Sequence, residues 1–194
     1  MVCILVAGPP ASGKSTLAKA LSKRLSVPMF SKDSMKEVLF DTVGFRSREE
    51  KVALGLGAME LLYYAAGQVL SCGGSVILEN NFENASRPGL EALLARFHCR
   101  TITLLLKGDP NVLYDRFVRR EASPERHRGH VVNTRYPETG EHVILPPLSY
   151  EQYVTACAAR GMADFSIGEK LEVDVTDFSA LDLDKLQQWL EPLL

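Results

Sequence analysis

The chain opens on an uninterrupted apolar run from Val2 to Ala7. A run this short and continuous predicts a strand buried on both faces, as in a parallel sheet. A turn rich in glycine and proline follows. Leu17, Leu21 and Leu25 then recur at four-residue spacing, which predicts a helix. Pro28 to Phe30 is a candidate short second strand. Ser34 to Glu37 reads as a capping box that opens another helix, and Ser47 to Glu50 reads as a second one. From there Val52, Leu56, Met59, Tyr63, Ala66 and Leu70 continue one apolar stripe until Gly73-Gly74 stops it.

The same alternation continues downstream. Ser75 to Glu79 reads as a third strand. Pro88 stands near the start of a helix carrying Leu90, Leu93, Leu94 and Phe97. Thr101 to Leu106 is apolar and β-branched and reads as a fourth strand. Asp109 caps the next helix with Pro110 in its first position, and Val112, Leu113 and Phe117 give that helix its apolar face. Residues 121–148 show little periodicity and many charges and prolines, so they read as a loop or lid. Ser149 to Gln152 caps a helix ending at Gly161, Leu171 to Val175 is a fifth strand, and Asp182 to Leu190 is a final helix. Strands alternating with helices five times predict an α/β fold with a parallel sheet and helices on both faces.

Composition narrows the class without naming a chemistry. A chain that is 46% hydrophobic and 24% charged has enough apolar surface to fold, which excludes general disorder. Its 194 residues suit one domain spanning 1–194 with a lid at about 120–148. The formal charge of -2, from 22 basic against 24 acidic residues, argues against a general nucleic-acid coat. Cys3, Cys72, Cys99 and Cys157 form no CxxC pair, so reduced, buried thiols and a reducing cytoplasm are expected. The apolar N-terminal run is too short for a signal sequence or a membrane span. No membrane association is therefore expected, and no obligate protein partner is evident.

Chemistry enters with Gly8-Pro9-Pro10-Ala11-Ser12-Gly13-Lys14-Ser15-Thr16. The stretch meets G-x-x-x-x-G-K-S/T at every fixed position, with a strand leading in and a helix leading out. Gly8 and Gly13 let the backbone turn where a Cβ would clash. The turning N–H groups and the helix N-terminus form a nest for phosphate oxygens. Lys14 would reach the β- and γ-phosphates, and the Ser15 hydroxyl would hold Mg²⁺. A GTPase is disfavoured, because no Asn-Lys-x-Asp base-reading motif occurs.

With that loop in place, the chain resembles the small P-loop kinases of the AAA_33 type, a group that includes the phage polynucleotide kinase domain, chloramphenicol phosphotransferase and gluconate kinase. Phe30 to Phe40, Leu105 to Pro110 followed by Tyr114 to Arg120, and Glu172 to Asp177 fall in the family's order. The resemblance implies a P-loop NTPase fold, nucleoside-kinase-like, with a five-stranded parallel sheet sandwiched by helices and a short lid. It implies ATP and Mg²⁺ as cofactors. It implies that Asp33 orients or deprotonates an acceptor hydroxyl, although an N-cap role for Asp33 stays open. It suggests that Lys36, three residues on, contacts the acceptor, against the alternative of a solvated helix lysine.

Six arginines lie between Arg116 and Arg135, with two acids among them. Such a cluster suits the charge of a phosphoryl-transfer transition state, although a solvated face is the better reading for most of them singly. Arg116 and Arg126 are the expected catalytic cations, and Arg120 is expected beside ATP. The stretch Arg120 to His130 resembles the family's R-x-x-x-x-x-R-H-P-G-H lid, with Arg128 where the family has proline. Many relatives end the third strand in Asp. Here Glu79 takes that place as a metal candidate, and Asn81 as a substrate contact. The expected function is transfer of the ATP γ-phosphoryl to a hydroxyl of a small molecule, nucleoside or nucleotide. A polynucleotide 5′-hydroxyl is the alternative acceptor, disfavoured by the lack of a long basic surface. A regulatory ATPase without an acceptor is the alternative of another class.

Overall fold

The computed structural model describes residues 1–139 and 146–194. Among them five strands form one parallel sheet in the order β2-β3-β1-β4-β5. The strands are β1 (Val2–Ala7), β2 (Met29–Ser31), β3 (Val76–Glu79), β4 (Arg100–Lys107) and β5 (Glu169–Asp174). Central β1 pairs Cys3 with Val76 on one side and with Thr101 on the other. Its alternating side chains serve two cores. Val2, Ile4 and Val6 face a layer containing Leu17 and Leu21 of α1 (Lys14–Leu25) and Leu186 and Leu190 of α8 (Leu183–Leu190). Cys3, Leu5 and Ala7 face Leu62, Ala66 and Leu70 of α3 (Arg48–Ser71) and Leu90 and Leu94 of α4 (Arg87–Phe97). A strand buried on both faces must be apolar throughout, which is why the first six-residue run shows no alternation.

Parallel strands bring all their carboxyl ends to one edge. From β1 the chain crosses to the edge strand β2, returns to β3 beside β1, and then passes to β4 and β5 on the other side. The crevice at the head of β1, where the winding direction changes, is the place such a sheet offers a ligand. The turn after β1, Ser31 and Asp33 after β2, Glu79 at the end of β3, and Thr176 beyond β5 all reach this edge.

Three local expectations need correction. The helix α2 (Lys32–Thr42) begins two residues before Ser34: its N-cap is Ser31, whose hydroxyl accepts from the Ser34 backbone N–H at 3.4 Å. Asp33 is therefore in the first helical turn and is not a cap. The stripe proposed for α3 also fails at its start, since Val52 and Leu56 are 46% and 65% exposed. The buried positions there are Lys51, Ala58 and Leu62. This 24-residue helix is long and apolar enough by composition to cross a membrane, but Ala58, Leu62, Ala66 and Leu70 are buried in this protein's own core. Of the cysteines expected to be buried, Cys72 is exposed and Cys99 half-buried; all are free thiols.

The remaining helices are α5 (Pro110–Glu121), the single turn α6 (Arg128–Val131) and α7 (Tyr150–Ala159). Asp109 caps α5 by accepting from Asn111 and Val112, and Ser149 and Gln152 complete a reciprocal capping box on α7. The expected lid contains α6, while its residues 140–145 lie outside the described residues.

Candidate active site

The phosphate-type loop is held from several sides. Gly8 has φ 139° and Gly13 φ 88°, backbone that side chains rarely allow. A Cβ on Gly8 would lie 2.6 Å from the Leu106 carbonyl oxygen, and one on Gly13 would lie 2.4 Å from the Phe178 ring. The Tyr153 hydroxyl of α7 donates to the Pro10 carbonyl at 2.8 Å. Lys14 is buried, and its Nζ donates to the Pro9 carbonyl at 2.7 Å. Burial lowers its pKa to about 8, with Glu79 and Asp33 pulling the other way.

A cavity of about 300 Å³ opens over this loop. Ala11, Gly13, Lys14, Ser15 and Thr16 form one wall, and Asp33, Glu79, Asn81, Arg116 and Arg120 form the rest. Residues far apart in sequence are thus brought to one cavity. Lys36 and Arg126 stand outside that lining, and so do Gly8, Pro9, Pro10 and Ser12, which shape the turn.

Two carboxylates in the cavity wall differ in character. Burial pushes Asp33 up, but the charges of His130, Lys32, Arg126 and Lys36 outweigh it and hold the carboxyl below its usual range. His130 is itself driven toward its neutral form by burial, so the two lysines and Arg126 carry this effect near neutral pH. Glu79 goes the other way: burial raises it, although Lys14 and a 2.5 Å hydrogen bond from the Ser31 hydroxyl oppose the rise. The nearby Ser15 hydroxyl opposes it as well.

The arginines divide by what they touch. Arg116 donates to the Val175 and Thr176 carbonyls at 2.6 and 2.8 Å, fastening the loop after β5 to the cavity rim. Arg120 bonds Glu121 at 2.9 Å. Arg126 lies 3.2 Å from the Glu121 carboxylate, without the alignment of a hydrogen bond, and its buried Nε has no hydrogen-bond partner among the described residues.

Three functional positions escaped sequence reasoning. Ser31 supports Glu79 and caps α2 at once. Lys51 is buried and donates to the His130 and Val132 carbonyls at 2.8 and 2.5 Å and to Asn133 Oδ1 at 3.1 Å. Arg48 shares Asn133 Oδ1 at 3.0 Å. For Lys51 the only sequence signal was a lysine one turn before an apolar helix face.

The AAA_33 family, described as an AAA domain, matches residues 3–135. A protein of Chloroflexus aurantiacus, provisionally described as a kinase, has a solved structure that is 30% identical. It superposes with a TM-score of 0.77, covering 100% of this chain and 98% of that one. Shikimate kinases of Pseudomonas aeruginosa (strain LESB58) and Pseudomonas syringae pv. syringae (strain B728a) are 32% and 33% identical over 102 and 99 residues. Those matches cover 46% and 44% of this chain and 55% and 53% of theirs, so the chain spans about half the length of these relatives. The shikimate kinase structure from Bacteroides thetaiotaomicron, 16% identical with a TM-score of 0.53 over 99% of this chain and 97% of that one, shares the fold.

Proposed function

Because the chain belongs to the AAA_33 family of AAA domains, we propose that it is an ATP- and Mg²⁺-dependent kinase that moves the γ-phosphoryl of ATP to a hydroxyl of a small molecule. The observation that carries this reading is one cavity walled on one side by the Lys14–Ser15 loop and on another by Asp33, a carboxylate that its cationic neighbours keep ionised.

In the proposed reaction the loop N–H groups and Lys14 bind the nucleotide phosphates, Lys14 exchanging the Pro9 carbonyl for a phosphate oxygen. The acceptor hydroxyl donates to Asp33. As its oxygen bonds to the γ-phosphorus, the bond to the β–γ bridging oxygen breaks, ADP leaves with that electron pair, and the proton passes to Asp33. The Ser15 hydroxyl and Glu79 carboxylate both line the cavity, and together they fit Mg²⁺. That ion takes one or two protein oxygens and completes its shell with water and phosphate. When bound it neutralises phosphate charge. Among the described residues no group of three or more His, Cys, Asp or Glu could hold a metal ion. The lid, Lys36 and Asn81 belong to the acceptor side of this reading.

Asp33→Asn tests it. ATP affinity should stay within about threefold of wild type, while acceptor-dependent ADP release should fall about 10²- to 10⁴-fold. Wild-type-like transfer by the variant would remove Asp33 from the chemistry. ADP release that no hydroxyl compound accelerates would favour the regulatory ATPase.

A further inference from the structure

Beside the nucleotide cavity lies a second cleft of about 230 Å³, between α2 and α3. Its charged floor is Lys32 and Lys36 of α2 with Arg48 and Lys51 of α3. The charges of Lys32 and Lys36 reach Asp33, which lines the neighbouring cavity, so this floor adjoins the proposed reacting centre. The counter-charges do not balance. Glu83, at the rim, is taken by Arg160 in a two-point pair. Lys51 is spent on backbone carbonyls. Among the described residues Lys32 and Lys36 form no ion pair; Lys36 Nζ rests 5.2 Å over the Phe40 ring.

The same cleft has an apolar wall. Val52 and Leu56 stand one helical turn apart on α3 and are largely uncovered, although a helix in a packed α/β protein ordinarily buries such residues. A wall of unpaired cations joined to an uncovered apolar strip suits a molecule with an anionic end and an apolar body. The volume lies below that of typical drug-sized sites, which points to a small ligand.

We propose that this cleft is the acceptor site and selects a small amphipathic alcohol carrying an anionic group: Lys32, Lys36 and Arg48 hold the anion, Val52 and Leu56 cover the apolar body, and the hydroxyl lies at Asp33. The inference rests on the kinase reading for the role of Asp33, and its test is independent of turnover. Burial and the neighbouring Lys32 charge lower the Lys36 pKa to about 8, so near that pH part of the amine is a free nucleophile.

Pyridoxal 5′-phosphate serves as the probe, a phosphate-tagged aromatic aldehyde. The lysine amine and the aldehyde condense to an imine with loss of water, and borohydride hydride reduces the imine to a stable secondary amine. The whole protein is labelled with ADP present to cover Lys14, then mapped by peptide mass. Label should fall on Lys36 or Lys32, at least about tenfold faster than with pyridoxal, which lacks the phosphate. Arg48→Gln should erase that advantage, and Arg48→Lys should restore part of it. Three alcohols on one frame then compete: 4-(hydroxymethyl)benzoate, 4-(hydroxymethyl)phenyl phosphate and neutral 4-(hydroxymethyl)benzamide. Protection by the benzoate assigns the cleft to carboxylates, and protection by the phenyl phosphate assigns it to phosphates. Equal labelling by the two aldehydes, label spread over Lys19 and Lys23, protection by the benzamide, or stronger protection by a 5′-hydroxyl oligonucleotide would each overturn the inference. If Asp33→Asn keeps full transfer while the labelling pattern holds, the kinase assignment of Asp33 fails and the anion cleft stands.

Discussion

Lys51→Met removes an ammonium and keeps most of the side-chain stem. In the native protein that ammonium is buried at the C-terminal end of α6, where it satisfies the His130 and Val132 carbonyls and Asn133 Oδ1. Hydrogen bonds to a charged donor contribute about 1.5–3 kcal/mol each before the cost of burying the charge, and that cost is several kcal/mol. The two nearly offset each other, so the residual effect comes from what is left behind. The bond to the Val132 carbonyl is fully buried, and without Lys51 that acceptor loses its partner at about 1–3 kcal/mol. Weaker losses at His130 and Asn133 bring the expected cost to about 2–3 kcal/mol. The cost falls on the docking of α6 against α2 and α3, because the Lys51 ammonium bonds the 130–133 segment. Hydrogen exchange reads this directly. The Val132 N–H, bonded to the Arg128 carbonyl, and the Tyr136 N–H, bonded to the Phe45 carbonyl, should lose protection about 30- to 150-fold. Amides of β1 and β4 should keep theirs. Acceptor-dependent turnover should fall with the undocking, since α6 carries His130 beside Asp33. Protection at Val132 and Tyr136 within about threefold of wild type would refute the tether.

Two further outcomes follow from the same region. Lys36, faced by Lys32, Asp33, Arg48, Arg126 and Lys51, has its pKa lowered to about 8 by burial first and Lys32 next; its charge is complete well below pH 8 and lost above it. Acceptor KM should therefore be flat to about pH 7 and about tenfold higher by pH 9, and Lys36→Arg should flatten the profile; a KM that falls with rising pH would contradict the anion-binding role. In Gly129→Ala the new Cβ would lie 2.3 Å from Cδ2 of Phe40, a ring buried so completely that it cannot retreat. Undocking of α6 by about 1–3 kcal/mol is expected, measured as a 5- to 150-fold loss of Val132 protection, and unchanged exchange would show that α6 repacks freely.

What could be read from sequence was what local physics decides. The apolar run of β1, the Asp109-Pro110 start of α5 and the Ser149–Gln152 box on α7 each depend on residues within one or two turns, and each appears where the sequence places it. The phosphate-type loop was legible for the same reason: its fold is written in contiguous glycines and the Lys-Ser that follows. Errors began where distant chain decides. Ser31 and Ser34 are both competent caps. Ser31 is chosen because its hydroxyl also serves Glu79, which lies 48 positions away and only becomes a neighbour through the pairing of β2 with β3. Val52 and Leu56 fit the periodicity of α3, yet α2 and the 128–133 segment claim the adjacent face and bury Lys51 in their place. No periodicity argument assigns a lysine to a buried face, because the carbonyls that make the position tolerable come from a segment about 80 positions downstream.

The net charge of -2 hides a division of labour among the arginines that follow Asp115. Arg116, expected as a catalytic cation, has two guanidinium nitrogens committed to the Val175 and Thr176 carbonyls, so it serves the rim of the cavity by holding the loop after β5. Arg120 is tied to Glu121. Arg126 shares that carboxylate, its Nε 3.2 Å from the same oxygen, but is more deeply buried. Its side chain is 15% exposed, burial and the Arg120 charge press its pKa down, and its Nε is left without a hydrogen bond. An unsatisfied buried donor costs about 1–3 kcal/mol, and a charged one costs more, so a fold keeps it only where something recovers that energy. Asp33 is close enough to raise the Arg126 pKa, and Arg126 in turn lowers that of Asp33. In the proposed transfer, negative charge spreads over the phosphoryl oxygens in the space between the phosphate loop and Asp33. A donor already stripped of water and short of one partner gains when such charge comes within its reach. The burial that makes Arg126 costly to the fold is therefore what supports, in the proposed transfer, its expected role as a cation for the transition state.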